Sequence, residues 1–150
     1  MSATLADELS DDAIVLGAEA SDWRAAVRLA GAALTATGST TDEYTAEMIR
    51  AVEDLGPYIV IAPGIALAHS RPSPAVVKTG ISWVSLTEPI EFGHAANDPV
   101  RLVVGLAATD HDSHLATMSN LAGVLSGDLD RLLEATDPEQ LRAIIRENTQ

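Results

Sequence analysis

The sequence predicts a single α/β layered domain with a mostly buried sheet. Short β-branched and apolar runs alternate with longer stretches whose apolar residues recur at helical spacing. One run, Leu102-Val103-Val104-Gly105-Leu106-Ala107, is almost wholly apolar, as expected of a strand with helices over both sheet faces. The chain has 150 residues, 47% of them apolar, which suits one domain with a real core and excludes a disordered chain.

The elements follow in order. The domain spans residues 1–150, with 1–12 expected as a flexible N-terminus. Ser21 can cap a helix that turns Trp23, Val27, Ala30 and Leu34 inward, and Gly38 stops it. Thr40 and Glu43 have capping-box spacing before a second helix carrying Tyr44, Met48, Val52 and Leu55, which Gly56-Pro57 ends. Tyr58 to Ile61 reads as a strand. Ile65 to Ala68 reads as a buried strand emerging into a turn at His69. Thr79 to Leu86 and Val100 to Ala107 are further strands. Leu115, Met118, Leu121, Ala122 and Leu125 then mark a helical stripe broken at Gly127. Leu129, Leu132 and Leu133 suggest a short helix. Pro138 suits the first position of a last helix with Leu141, Ile144 and Ile145 inward.

Charge and composition exclude several function classes. Net charge is −13, with 22 acids against nine basic residues, so clustered cations for phosphate backbones are missing and no nucleic-acid partner is expected. Acidity is also the wrong sign for an anionic membrane surface. There are no cysteines, which excludes disulfides and thiolate metal sites. The start of the chain lacks the pattern of a signal peptide, and no apolar run approaches the ~20 residues of a membrane span. A cytoplasmic protein is expected.

The chemistry lies in the histidines. In "GIALAHSRPSP", His69 stands where an apolar strand meets a loop with Arg71 and two prolines. In "AATDHDSHLATM", His114 stands near a helix start just after the apolar strand. Sites in open α/β sheets gather at such strand ends and helix starts. The helix N-terminus would favour a bound anion and a neutral His114, while Asp110 and Asp112 push toward an imidazolium. A neutral imidazole can carry a phosphoryl group covalently. Each residue also has a plainer role: His69 as a satisfied half-buried histidine, His114 as a first-turn residue, Arg71 and Lys78 as solvated charges, His94 as part of a turn. His111 and His114, three apart, could instead share a metal ion in a histidine-cluster hydrolase. Spacing alone leaves these readings open.

Two segments carry a resemblance. "YIVIAPGIALAHSRP", Tyr58 to Pro72, is similar to the active-site segment of enzyme IIA proteins of the sugar phosphotransferase system, fructose–mannitol type, closest to the ascorbate-like branch. "VKTGISWVSLTEPIEFGHAANDPVRLVVGLAATDHDSHL", Val77 to Leu115, continues it in order and spacing. The resemblance runs from about Ser21 to the C-terminus. It implies a mixed sheet of about five strands flanked by helices, the type 2 IIA architecture. It implies a phosphotransferase component in which His69 takes phosphate from HPr and passes it to a cysteine of a IIB component. A membrane IIC component would be involved only indirectly. It implies that His114 assists, with Ser70 and Arg71 as neighbours of the phosphoryl group and no cofactor. The alternative is a regulatory module whose phosphohistidine state is read by another protein. The sugar and any homo-oligomer stay open. Two positions depart from the family pattern: Ala68 stands where Pro is usual, and Ser70 where Ala or Gly is.

Overall fold

The computed structural model describes residues 9–125 and 129–148. After a 3-10 turn at Asp11–Ala13 the chain runs β1 (Ile14–Ala18), α1 (Trp23–Ala36), α2 (Asp42–Leu55), β2 (Val60–Ala62) and β3 (Ile65–Ala68). It continues through β4 (Gly80–Ile90), β5 (Val100–Ala107), α3 (His111–Leu125), α4 (Leu129–Leu133) and α5 (Pro138–Asn148). The five strands form one mixed sheet in the order β1-β4-β5-β3-β2. β1 lies parallel to β4 and β3 parallel to β5, while β4–β5 and β2–β3 are antiparallel.

Strand alternation splits the core into two layers. On one face Ile65 and Leu67 of β3, Ile81 and Trp83 of β4, and Leu102, Val104 and Leu106 of β5 meet Leu121 and Val124 of α3 and Leu141, Ile144 and Ile145 of α5. On the other, Ala66, Ala68, Val84, Val103 and Ala107 meet Ala26, Val27, Ala30 and Leu34 of α1 and Tyr44, Met48 and Val52 of α2. Both faces are covered, which explains the unbroken apolar run of β5. The small residues on the second face let α1 sit close. Ser82 donates to the Ala30 carbonyl at 2.8 Å, and a Cβ at Gly105, its cross-strand partner, would stand 2.2 Å from the Ser82 hydroxyl.

The sheet of five strands matches expectation, but several local assignments shift. β1 was not recognised from the sequence. The strand expected at Tyr58–Ile61 is Val60–Ala62, and that expected at Thr79–Leu86 runs on to Ile90. Asp22, not Ser21, caps α1, its carboxylate accepting from the Ala25 N–H at 2.8 Å. The capping box at Thr40 and Glu43 does not form. Thr41 is the cap residue of α2, without a side-chain bond, and Thr40 is instead taken into a bridge with Val76. Leu55, expected on the buried face of α2, is 72% exposed, and Leu115 and Ala122 of the α3 stripe are also exposed. Thr117, Leu121, Val124 and Leu125 make the buried side of α3. Gly127 and residues 1–8 of the expected flexible N-terminus lie outside the described residues. From Leu9 the chain is seated: Leu9 is buried, Arg142 of α5 donates to its carbonyl at 2.8 Å, and Arg142 also pairs with Asp11.

Candidate active site

The two adjacent parallel strands β3 and β5 deliver the histidines. His69 follows directly on β3, and His114 lies in the first turns of α3, a short turn after β5. Their carboxyl ends open side by side, the usual place for a site in an α/β sheet. The imidazole centroids of His69 and His114 are 5.4 Å apart, with the rings tilted at 53°. Both rings line a cleft of about 970 Å³ together with Glu47, Arg50, Asp54, Tyr58, Ser70, Arg71 and His111.

His69 is locked in one orientation. Its Nδ1 stands 2.7 Å from the Leu67 carbonyl, which can only accept, so Nδ1 carries the proton. In the neutral ring that leaves the lone pair on Nε2. Tyr58 holds the ring from one side: the two centroids are 5.4 Å apart in an edge-on contact, and the Tyr58 hydroxyl donates to the His69 carbonyl at 3.1 Å. Burial pushes the His69 pKa below its ordinary 6.5, against the opposing pull of the Leu67 hydrogen bond. A neutral imidazole with an accessible lone pair is a nucleophile.

The next residue is fixed by Tyr44. The Ser70 N–H donates to the Tyr44 hydroxyl at 2.9 Å, and that hydroxyl donates to the Leu106 carbonyl of β5 at 2.7 Å. The Ser70 carbonyl lies 3.2 Å from the same hydroxyl. Burial raises the Tyr44 phenol to about 12, so it keeps its proton.

His114 is held neutral by burial and by the neighbouring His69 and His111, in that order. The competing influence of Asp110 and Asp112 does not prevail. Its Nδ1 is buried with no hydrogen-bond partner among the described residues, so Nε2 is the nitrogen left to meet a group in the cleft. At the start of α3, Asp110 takes up the N–H of Ser113. Its carboxylate accepts from the Ser113 N–H at 2.7 Å, and these bonds hold its own pKa down.

The cleft therefore gathers His69, His114, Ser70 and Arg71, the four residues singled out in the sequence. It adds His111, Tyr58, Arg50 and Glu47, which were not assigned to a phosphoryl site. No local pattern points to Arg50 or Glu47; only the packing of α2 brings them to the cleft. His94 lies elsewhere, in a turn where its Nδ1 accepts from the Asn97 N–H at 3.1 Å and its N–H donates to Asp98 at 3.0 Å. Among the described residues, no group of three or more His, Cys, Asp and Glu side chains could hold a metal ion. Nor, among them, is any helix long and apolar enough to cross a membrane.

Comparison with known proteins gives the family of this chain. Residues 8–148 match the family model for the phosphoenolpyruvate-dependent sugar phosphotransferase system, EIIA 2. The chain is 42% identical over 111 residues to the ascorbate-specific PTS system EIIA component of Salmonella choleraesuis, covering 73% of this chain and 72% of that protein. The solution structure of the mannitol-specific cryptic phosphotransferase enzyme IIA of Escherichia coli superposes with a TM-score of 0.85 at 30% identity, over 97% and 99% of the two chains. The mannitol enzyme IIA of Escherichia coli, solved in complex with phosphorylated enzyme IIB, gives 0.80 at 27%, over 92% and 96%.

Proposed function

The chain belongs to the EIIA 2 family of the phosphoenolpyruvate-dependent sugar phosphotransferase system, and from that membership we propose that it carries a phosphoryl group on Nε2 of His69. The observation behind this is the 2.7 Å bond that commits the His69 Nδ1 proton to the Leu67 carbonyl. Nε2 attacks phosphorus. A P–N bond forms as the bond from phosphorus to the donor, HPr, breaks and its electron pair leaves with the donor. In the second half, a cysteine thiolate of a IIB component attacks the same phosphorus, and the electron pair of the P–N bond returns to Nε2. His114 donates a hydrogen bond from Nε2 to the phosphoryl oxygens, while Ser70 offers its hydroxyl.

The wider setting follows from the relatives. The likeness to an ascorbate-specific component supports a transport role with a IIB acceptor of the ascorbate type, rather than a phosphorylation state read by a regulator. A neighbour, the mannitol enzyme IIA, was solved with phosphorylated mannitol enzyme IIB, which supports a IIB component as the acceptor. The protein works in the cytoplasm, and no cofactor enters this chemistry.

Phosphoenolpyruvate, its phosphotransferase and HPr test the reading. They should label the protein once, at His69, with a label lost in acid and kept in base. Phosphorus–proton correlation spectra should place it on Nε2. Onward transfer should occur to a IIB component of the ascorbate type. Full labelling of His69→Ala would overturn the assignment.

A further inference from the structure

The peptide that links His69 to Ser70 is held at both ends by tyrosine hydroxyls. Its carbonyl accepts from Tyr58 at 3.1 Å, and its N–H donates to Tyr44 at 2.9 Å. The strand register explains why such a hold is needed. The pairing of β3 with β5 ends at Ala68 and Gly105, one residue before His69. From there the chain enters a loop beside a cleft of about 970 Å³. An unsupported imidazole would be free to swing about its Cα–Cβ bond and lose the Leu67 carbonyl.

Tyr58 is itself seated by the turn that carries it. Gly56 has φ of 87°, a region that favours glycine, and Pro57 fixes its own φ. The Tyr58 N–H donates to the Gly56 carbonyl at 2.8 Å. The next carbonyl, that of Ile59, accepts from the Leu67 N–H at 2.7 Å. The Leu67 carbonyl in turn accepts the Nδ1 proton of His69. The bond from the Tyr58 hydroxyl to the His69 carbonyl closes this circuit, so Tyr58 and the nucleophile move as one unit. Burial holds the Tyr58 phenol above its ordinary 10 despite the charge of Arg71, and its proton is there to donate. Two rings touch the His69 imidazole, Tyr58 edge-on at 79° and His114 at 53°. His114 has to stay free for the phosphoryl oxygens, so holding the ring falls to Tyr58.

We propose that Tyr58 is a positioning residue for phosphoryl transfer: its hydroxyl fixes the His69 carbonyl and its ring fixes the imidazole, so that Nε2 keeps one direction of attack. This rests on reading His69 as the phosphoryl acceptor. Tyr58 acts through His69 and does not touch the reacting atoms. The gain is orientational, since misplacing a reacting group by about 1 Å costs about a hundredfold in rate.

The test compares Tyr58→Phe, which removes only the hydroxyl, with Tyr58→Leu, which removes the ring as well. Tyr58 is 39% exposed, so both replacements leave the core intact. Labelling at His69 is timed with phospho-HPr and with phosphoramidate, a small donor that needs no docking surface. Tyr58→Phe should be about two- to tenfold slower with either donor. Tyr58→Leu should be about ten- to a hundredfold slower. The KM for phospho-HPr should stay at the wild-type value in both. Nitrogen–proton correlation spectra of the His69 imidazole, taken where the ring is neutral, give a readout that a merely structural part would not move. The wild type should show one tautomer with the proton on Nδ1. Tyr58→Phe should exchange that proton faster with water, and Tyr58→Leu should mix the two neutral tautomers. A Tyr58→Phe protein with wild-type rates and an unchanged His69 spectrum would overturn the proposal, whatever Tyr58→Leu does. Slowing with phospho-HPr but not with phosphoramidate would make Tyr58 a docking residue and overturn it too. If the wild type takes no label from either donor, the phosphocarrier reading fails, and the imidazole spectra alone then decide for or against Tyr58.

Discussion

The hydroxyl of Tyr44 ties the peptide immediately after His69 to the neighbouring strand: it accepts from the Ser70 N–H at 2.9 Å and donates to the Leu106 carbonyl at 2.7 Å. A side chain from α2 thereby sets how the loop leaves β3, and with it where the imidazole points. Tyr44→Phe keeps the ring and removes only this link. It strands a buried carbonyl and an N–H, at a cost of about 1–3 kcal/mol. For a domain of this size that should lower the melting temperature by several degrees. It should also slow phosphorylation of His69, and thermal melts with labelling rates on the same sample check both. A variant that melts lower but labels at the wild-type rate would confine Tyr44 to a structural part.

Acid should weaken the fold through the same histidines. Burial holds His69 below its ordinary 6.5. Burial, then His69 and His111, hold His114 below it too. The unfolded chain would protonate these rings near 6.5, so between that value and the lower folded values it binds more protons than the native state. The stability is present in full above about pH 6.5 and is lost as pH falls through the folded values. The rings stand 5.4 Å apart and titrate as a pair. Urea unfolding followed from about pH 7.5 to 5 should fall more steeply for the wild type than for a His69→Gln, His114→Gln double variant. The labelling rate should hold level through pH 6.5 and decline only below it, as the nucleophile protonates. Equal slopes in the two proteins would mean that the pair is not buried in its neutral form.

His114 is expected to speed transfer without receiving the phosphate. His114→Ala should still be labelled on His69, but about ten- to hundredfold more slowly in both directions, the scale of one lost charge-assisted hydrogen bond. Stopped-flow transfer from phospho-HPr and onward to the IIB cysteine measures each half. Unchanged rates in both halves would leave His114 as an ordinary residue of α3.

What the sequence revealed of this site, and what it hid, has a local cause. His69 was visible because Ile65 to Ala68 makes a short buried run that stops at a polar loop. His114 was visible because α3 starts shortly after an unmistakably buried strand. The layered fold was equally legible from the two-sided burial of β5. Arg50 was not, because a cation on an amphipathic helix reads as a solvated charge until the helix is placed. Tyr44 was assigned to the core from its helical spacing, correctly, but its hydroxyl reaches two backbone groups that only the register of β3 and β5 brings together. The helix starts shifted for a related reason. Ser21 and Asp22 are both good caps, and which one serves depends on where the chain leaves β1. Thr40 is diverted by its bridge to Val76. Leu55 has the spacing of a core residue but lies at the end of α2, exposed where it lines the cleft.

Ala68 tests how far the turn before His69 follows the family pattern, in which Pro is usual. Ala68 is the last residue of β3, fully buried and opposite Gly105 of β5. The preceding N–H, that of Leu67, donates away from β5 to the Ile59 carbonyl at 2.7 Å. Strand alternation therefore turns the Ala68 N–H toward β5. Two effects of Ala68→Pro then oppose each other. Restricting the unfolded chain stabilises by about 0.4–1 kcal/mol, and Leu67 already has the extended backbone that a following Pro requires. Removing the donor leaves a buried carbonyl on β5 without its partner, which costs about 1–3 kcal/mol. The second is larger, so the net effect should be a loss of about 1 kcal/mol, or about 2–4 °C in melting temperature. Phosphorylation should stay within a few-fold of the wild type, because neither the bond from His69 Nδ1 to Leu67 nor the Tyr44 link to Ser70 uses the Ala68 N–H. Melting curves and labelling rates from phospho-HPr on one preparation decide it. A higher melting temperature would mean that the β3–β5 ladder ends at Leu67, and that the turn carrying His69 starts one residue earlier than the strand register places it.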